Sequence, residues 1–193
     1  MQRLKEILTT PVTAITKAKK EKSLSKTFLI LILSWILLSM SFFLSFYKEL
    51  MIIIALGSAL TIFLFGILFS IFYSYVIDIL MNVLGGKGKY YDSLTAATYS
   101  SFPISLGLLI TSIATLVHPY LGLIVGFISI SFTVALSFSI YFRAIKDLYS
   151  TDMLTTFIGL LIIIYVFIIT SYITTAFSMN SMLFGNLLST FRI

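Results

Sequence analysis

Residues 17–47 read KAKKEKSLSKTFLILILSWILLSMSFFLSFY: a lysine-rich approach, then 21 consecutive residues without a charge. About 20 apolar helical residues cross the ~30 Å hydrocarbon core of a bilayer, so 27–47 has the length of one span. The lysines that precede it set its direction, because Lys and Arg are retained on the cytoplasmic side. Four further apolar blocks follow at about 50–84, 93–117, 120–142 and 153–177, in a chain that is 59% hydrophobic. With the N-terminus placed in the cytoplasm, the inner segments carry Arg3, Lys5, Lys17, Lys19, Lys20, Lys22, Lys26, Lys87, Lys89, Arg143 and Lys146. Only Lys48 and Arg192 fall outside. The expected fold is an all-α integral membrane protein, a bundle of five transmembrane helices with its N-terminus cytoplasmic. A short N-terminal interfacial amphipathic helix precedes the bundle. The chain divides into a cytoplasmic basic segment (1–26), a five-span membrane domain (27–177) and a short non-cytoplasmic tail (178–193).

Most of the 193 residues are committed to spans, which leaves room for one bundle and no soluble domain. The net charge of +6 sits beside apolar blocks, where attraction to anionic headgroups is worth about 1 kcal/mol per residue near the surface. Anionic lipid is therefore the expected partner and nucleic acid is not. Cysteine is absent, which excludes disulfides and thiolate metal sites. The first block is not a cleavable signal peptide, since it follows a 26-residue basic stretch and lacks a small-x-small cleavage pattern. The second block, roughly 51 Å long at 1.5 Å per residue, reads as one long helix. Only Gly57 and Gly66 interrupt it, and splitting it would move Lys87 and Lys89 to the outer side.

In 1–26, Leu4, Ile7, Leu8, Pro11, Ile15 and Ala18 recur at helical spacing, and Thr10-Pro11 suits an N-cap and first helical position. This predicts a helix lying on the inner leaflet, with Lys17, Lys19, Lys20 and Lys22 among the headgroups. The alternative is a frayed, solvated tail. The outer connections, 47–50 and 117–120, are minimal. The inner ones are a flexible basic loop at 85–89 and a charged tract at 141–152, so a protein partner is expected on the cytoplasmic side.

Small residues allow membrane helices to approach closely. Gly122, Gly126, Ser129, Thr133 and Ser137 form one such face, which opens with GxxxG and serves either the bundle or a homodimer. Ser93, Ala97, Ser100, Pro103, Gly107 and Ala114 form another. In the second block Gly66, Ser70, Ser74, Asp78 and Asn82 recur every four residues. Asp78 is the only acid inside an apolar block, and a charge facing lipid costs several kcal/mol, so it should face protein, a cavity or the interface. Arg143 is its expected cation, with Lys146 and Lys87 as alternatives. Ser74, Asp78, Asn82 and Arg143 are thus the candidate intramembrane polar site, either an ion, proton or headgroup site or a structural ion pair. Enzymatic chemistry is not expected. His118 is the sole histidine and sits on an outer turn, and HExxH and GxSG-type motifs are missing, so neither cofactor nor metal is expected. Tyr90, Tyr91 and Tyr99 are expected at the headgroup boundary.

The stretch LGGKGKYY at 84–91, followed by AATYSSFP at 96–103, resembles the signature of the Yip family. That family comprises Ypt/Rab-interacting proteins of eukaryotic secretory membranes and many bacterial and archaeal members. Gly85, Gly86, Lys87, Gly88, Tyr99 and Pro103 carry the resemblance. It implies a cytoplasmic helix opening at a proline, here Pro11, and five spans with the N-terminus inside. Eukaryotic members carry a long polar N-terminal region implicated in GTPase and coat contacts. This chain has 26 residues before its first span and resembles the compact prokaryotic members, for which the resemblance implies a fold without an established activity. The expected function is a non-enzymatic membrane-organising or trafficking-like adaptor in the cell membrane, contacting anionic lipid or a protein. The alternative is a small transporter or transporter subunit with a polar pathway along span two.

Overall fold

A computed structural model describes residues 2–47, 52–165 and 168–169. Among them every regular element is a helix. Two short helices, α1 (Gln2–Thr9) and α2 (Pro11–Glu21), come first. Four long ones follow: α3 (Leu24–Phe46), α4 (Ile52–Val83), α5 (Tyr90–Val117) and α6 (Pro119–Tyr149). These four are long and apolar enough to cross a membrane. A shorter apolar helix, α7 (Met153–Tyr165), opens where Thr155 N–H donates to Asp152 Oδ1 at 2.8 Å, bonding that holds the Asp152 carboxyl below its ordinary pKa. Residues from Phe157 onward belong to a second compact unit, Phe157–Ile193. The fifth block expected at 153–177 is described only at 153–165 and 168–169, and the tail at 178–193, Lys48 and Arg192 lie outside the described residues.

In the first unit α5 is the hub, packing on α6, α3 and α4. Its small residues explain why. A Cβ on Gly107 would meet Thr133 Oγ1 at 2.4 Å, and Cβ atoms on Gly122 and Gly126 of α6 would meet Thr115 and Thr111 of α5. The two backbones approach where side chains are absent, and Thr111 and Ser129 share a hydrogen bond of 2.8 Å across the seam. The GxxxG face is therefore used inside the chain, between α6 and α5. The connection between α5 and α6 is His118 alone, with Pro119 at the first position of α6. α5 continues through Pro103, and α4 is one unbroken helix of 32 residues, as its sequence predicts.

Two expectations are corrected. The charged tract at 141–152 is not a loop for most of its length: α6 runs on to Tyr149, because Ala144, Ile145 and Leu148 continue its apolar face and are buried. The N-terminal segment is two helices, broken at Thr10, and it does not offer its apolar face to lipid. Ile7, Ala14 and Ala18 join Ile30, Tyr99, Phe102 and Ile140 in one buried cluster. An amphipathic face fits a protein groove as well as a leaflet, and here the groove is formed by α3, α5 and α6.

Candidate functional site

The polar stripe of α4 divides into two parts. Gly66, Ser70 and Ser74 are buried, and they form the seam on α3. Trp35, the only tryptophan, lies so close to Gly66 that an added Cβ would stand 2.1 Å from its ring, and its Nε1 donates to Ser70 Oγ at 2.9 Å. Ser74 Oγ donates back to Ser70 O at 2.7 Å, which satisfies it within its own helix. One turn further, the helix leaves the seam. Asp78 is half-buried and Asn82 exposed.

Asp78 does not meet Arg143. Tyr149 Oη donates to Asp78 Oδ1 at 2.6 Å, and Asn82 Nδ2 donates to the same oxygen at 3.2 Å. Arg143 instead pairs with Asp147 one turn along α6, at 2.9 Å. The geometry is simple: residues four apart on a helix are neighbours, so Arg143 has a local acid and no reason to reach across. Tyr149 occupies the place assigned to a cation, and its side chain is completely buried. A neutral hydroxyl bonding a carboxylate avoids the desolvation of a second charge.

The glycine-and-lysine loop exists to accommodate that tyrosine. Gly85 has φ +89°, a left-handed turn that ends α4 without a Cβ penalty. A Cβ on Gly86 would stand 2.9 Å from Tyr149 Cδ1, and one on Gly88 2.5 Å from the same atom. Lys87 N–H donates to Tyr149 O at 2.9 Å and Gly86 N–H to Met81 O at 2.8 Å. The loop thus wraps the ring of Tyr149, caps its carbonyl and leaves the Lys87 side chain exposed. α5 then starts on a cap in which Asp92, only 5% exposed, accepts from Lys89 N–H at 2.9 Å. Tyr90 Oη donates to Ile71 O at 3.2 Å, and Thr27 Oγ1 donates to Tyr91 Oη at 3.3 Å. Tyr99 is 1% exposed in the buried cluster rather than at a headgroup boundary, and Pro103 is buried in the same helix.

The lysines assigned to lipid are not alike. Lys17 pairs with Glu6 of α1 at 2.5 Å. Lys19 donates to Asp147 O and, at 3.2 Å, to Ser150 Oγ, tying α2 to the end of α6. Lys20 and Lys22 are exposed. Two functional groups escaped the sequence reading: Tyr149, because nothing marks a tyrosine as the partner of an acid 71 residues away, and Arg3, which lies 3.0 Å from Glu21 at the far end of α2.

Four lipid-length helices, a polar stripe buried against protein and a glycine loop sealing one end define a multi-pass integral membrane protein. The Yip1 domain model matches residues 5–188, nearly the whole chain. The protein belongs to the Yip family. No curated protein and no solved structure gives a significant match.

Proposed function

We propose that this Yip-family protein is a non-enzymatic membrane-organising adaptor, and that its working surface is the end of the bundle where α1, α2, the 85–89 loop and the end of α6 meet. One observation carries the reading: these four parts are bonded to one another, through Lys17 of α2 to Glu6 of α1, through Lys19 to Asp147 and Ser150 and through Lys87 N–H to Tyr149. They form one continuous surface. Lys5, Lys20, Lys22, Lys87 and Lys89 are exposed on it, a pattern suited to anionic lipid or to an acidic protein. By the positive-inside argument this surface is cytoplasmic, and in a prokaryote the membrane is the cell membrane.

The transport reading rests on a cleft of 390 Å³ whose lining includes Trp35, Ser70, Tyr73, Ser101, Ser137 and Tyr141. It is the weaker of the two. Asp78, the one acid that would couple a charge, is held by Tyr149 and Asn82 and does not line that cleft.

The test is photocrosslinking in the host membrane, with photoreactive residues at Lys87 and Lys146. A specific protein captured from both positions is the expected result. Lipid adducts alone, together with ion-dependent uptake in proteoliposomes, would favour transport.

A further inference from the structure

Arg3 is poorly provided for. Its side chain is only 14% exposed; it is ion-paired to Glu21 Oε2 at 3.0 Å, but neither Nη1 nor Nη2 makes a well-aligned hydrogen bond. A guanidinium is charged at every accessible pH and carries a planar fork of donors. The one ion pair leaves most of that fork of donors unused beside the cavity. The acids beside it are already engaged. Lys26 bonds Glu21 at 2.6 Å, and Lys17 bonds Glu6 at 2.5 Å.

These groups line a cavity of 380 Å³ between α1, α2 and the first turns of α3, completed by Leu4, Leu29 and Ile30. Three cations face two carboxylates in it, so the site retains a positive charge. Leu29, 64% exposed, continues the wall outward along a helix long enough to cross the membrane. Behind the wall stands Tyr99, which shares the buried cluster with Leu4 and Ile30 and lies in electrostatic range of Arg3. Its Oη also has no hydrogen-bond partner.

We propose that this cavity binds the phosphate of an anionic phospholipid headgroup, with the Arg3 fork as its bidentate ligand, Lys17 and Lys26 flanking it, and an acyl chain running along Leu29. The fork geometry of Arg matches two phosphate oxygens, which no point charge does. The surplus positive charge selects anionic over zwitterionic headgroups, and the apolar strip along α3 selects a lipid over a free anion. The inference rests on the reading that this end of the molecule meets headgroups, and it names the site at which one lipid is held.

Native mass spectrometry of the full-length protein in mixed micelles of phosphatidylglycerol and phosphatidylcholine tests it. The wild type should retain one phosphatidylglycerol. Arg3→Gln should weaken retention by roughly ten- to a hundredfold, the worth of charge-assisted hydrogen bonds. Arg3→Lys keeps the charge that docks α1 but removes the fork, and should still lose about tenfold. Thr16→Ala, exposed on α2 and outside the cavity lining, should retain the lipid as the wild type does. Wild-type retention by Arg3→Lys would overturn the bidentate assignment. Displacement of the lipid by millimolar inorganic phosphate would overturn the lipid in favour of a soluble anion, and equal retention of phosphatidylcholine would overturn the charge selection. None of these readouts depends on a protein being captured at Lys87 or Lys146, so the two readings fail separately.

Discussion

Tyr149 is where the sequence motif acquires a physical reason. Gly86 and Gly88 are glycines because the ring of Tyr149 fills the volume a side chain would take. Gly88→Ala places a methyl 2.5–2.7 Å from three ring atoms that are buried and cannot swing away. Overpacking of this kind costs about 1–3 kcal/mol, so the variant should melt lower in detergent. Gly57→Ala meets nothing within 4 Å in the second turn of α4 and should melt at or above the wild type. Equal melting of the two variants would refute the packing role of the loop. Asp78 belongs to the same joint. Asp78→Asn keeps an acceptor for Tyr149 Oη and should fold with a loss of about 1 kcal/mol. Asp78→Leu removes the 2.6 Å acceptor and leaves that hydroxyl a 3.5 Å contact to Lys89 O beside Ser93, and should cost about 1–3 kcal/mol. Combined with Tyr149→Phe, its cost should be less than additive, which a double-mutant cycle in chemical denaturation measures.

At the scale of elements, the α5–α6 contact carries the fold, and its glycines face inward. Gly126→Leu would push a branched side chain into Thr111, whose Cγ2 stands 2.8 Å from an added Cβ. It should lower the melting temperature and leave the oligomeric state unchanged, as read by light scattering in detergent. A dimer lost at unchanged stability would return the seam to an intermolecular role. The long helices were legible in the sequence, since charge-free runs of more than 20 residues permit little else. The end of α6 was not: Arg143, Lys146 and Asp147 look like loop residues until Ala144, Ile145 and Leu148 are seen to hold the other face in the core. The docking of α1 and α2 was illegible for a different reason. Helical periodicity shows that a face is apolar and does not say what covers it. The Asp78–Tyr149 bond was hidden too, because a long-range pair leaves no trace in local spacing, whereas Arg143–Asp147 was available as an ordinary i,i+4 pair.

For the molecule as a whole, the N-terminal hairpin is held to the bundle by an apolar cluster and a short chain of charges. Glu21 is the link, between Arg3 of α1 and Lys26 at the start of α3. The bond from Lys26, with the positive charge of Arg3 nearby, holds its carboxyl below the ordinary value of 4.5. The sign follows: a depressed carboxyl pKa stabilises the docked state above the ordinary value, and that stability is lost as pH falls through the lowered one. Glu21 is solvent-exposed, so the contribution is small and screened by salt. The absence of cysteine makes the test clean, because spin labels can be placed at Thr9 and Ser139, both exposed, without removing a native thiol. The distance between them should be narrowly distributed near pH 6 and broaden slightly as pH falls through the lowered Glu21 value. Glu21→Gln should show that slight broadening at both. A narrow distribution in Glu21→Gln, or broadening of that variant with the same pH midpoint as the wild type, would take the docking away from this carboxylate and leave it to the apolar cluster around Ile7, Ala14 and Ala18.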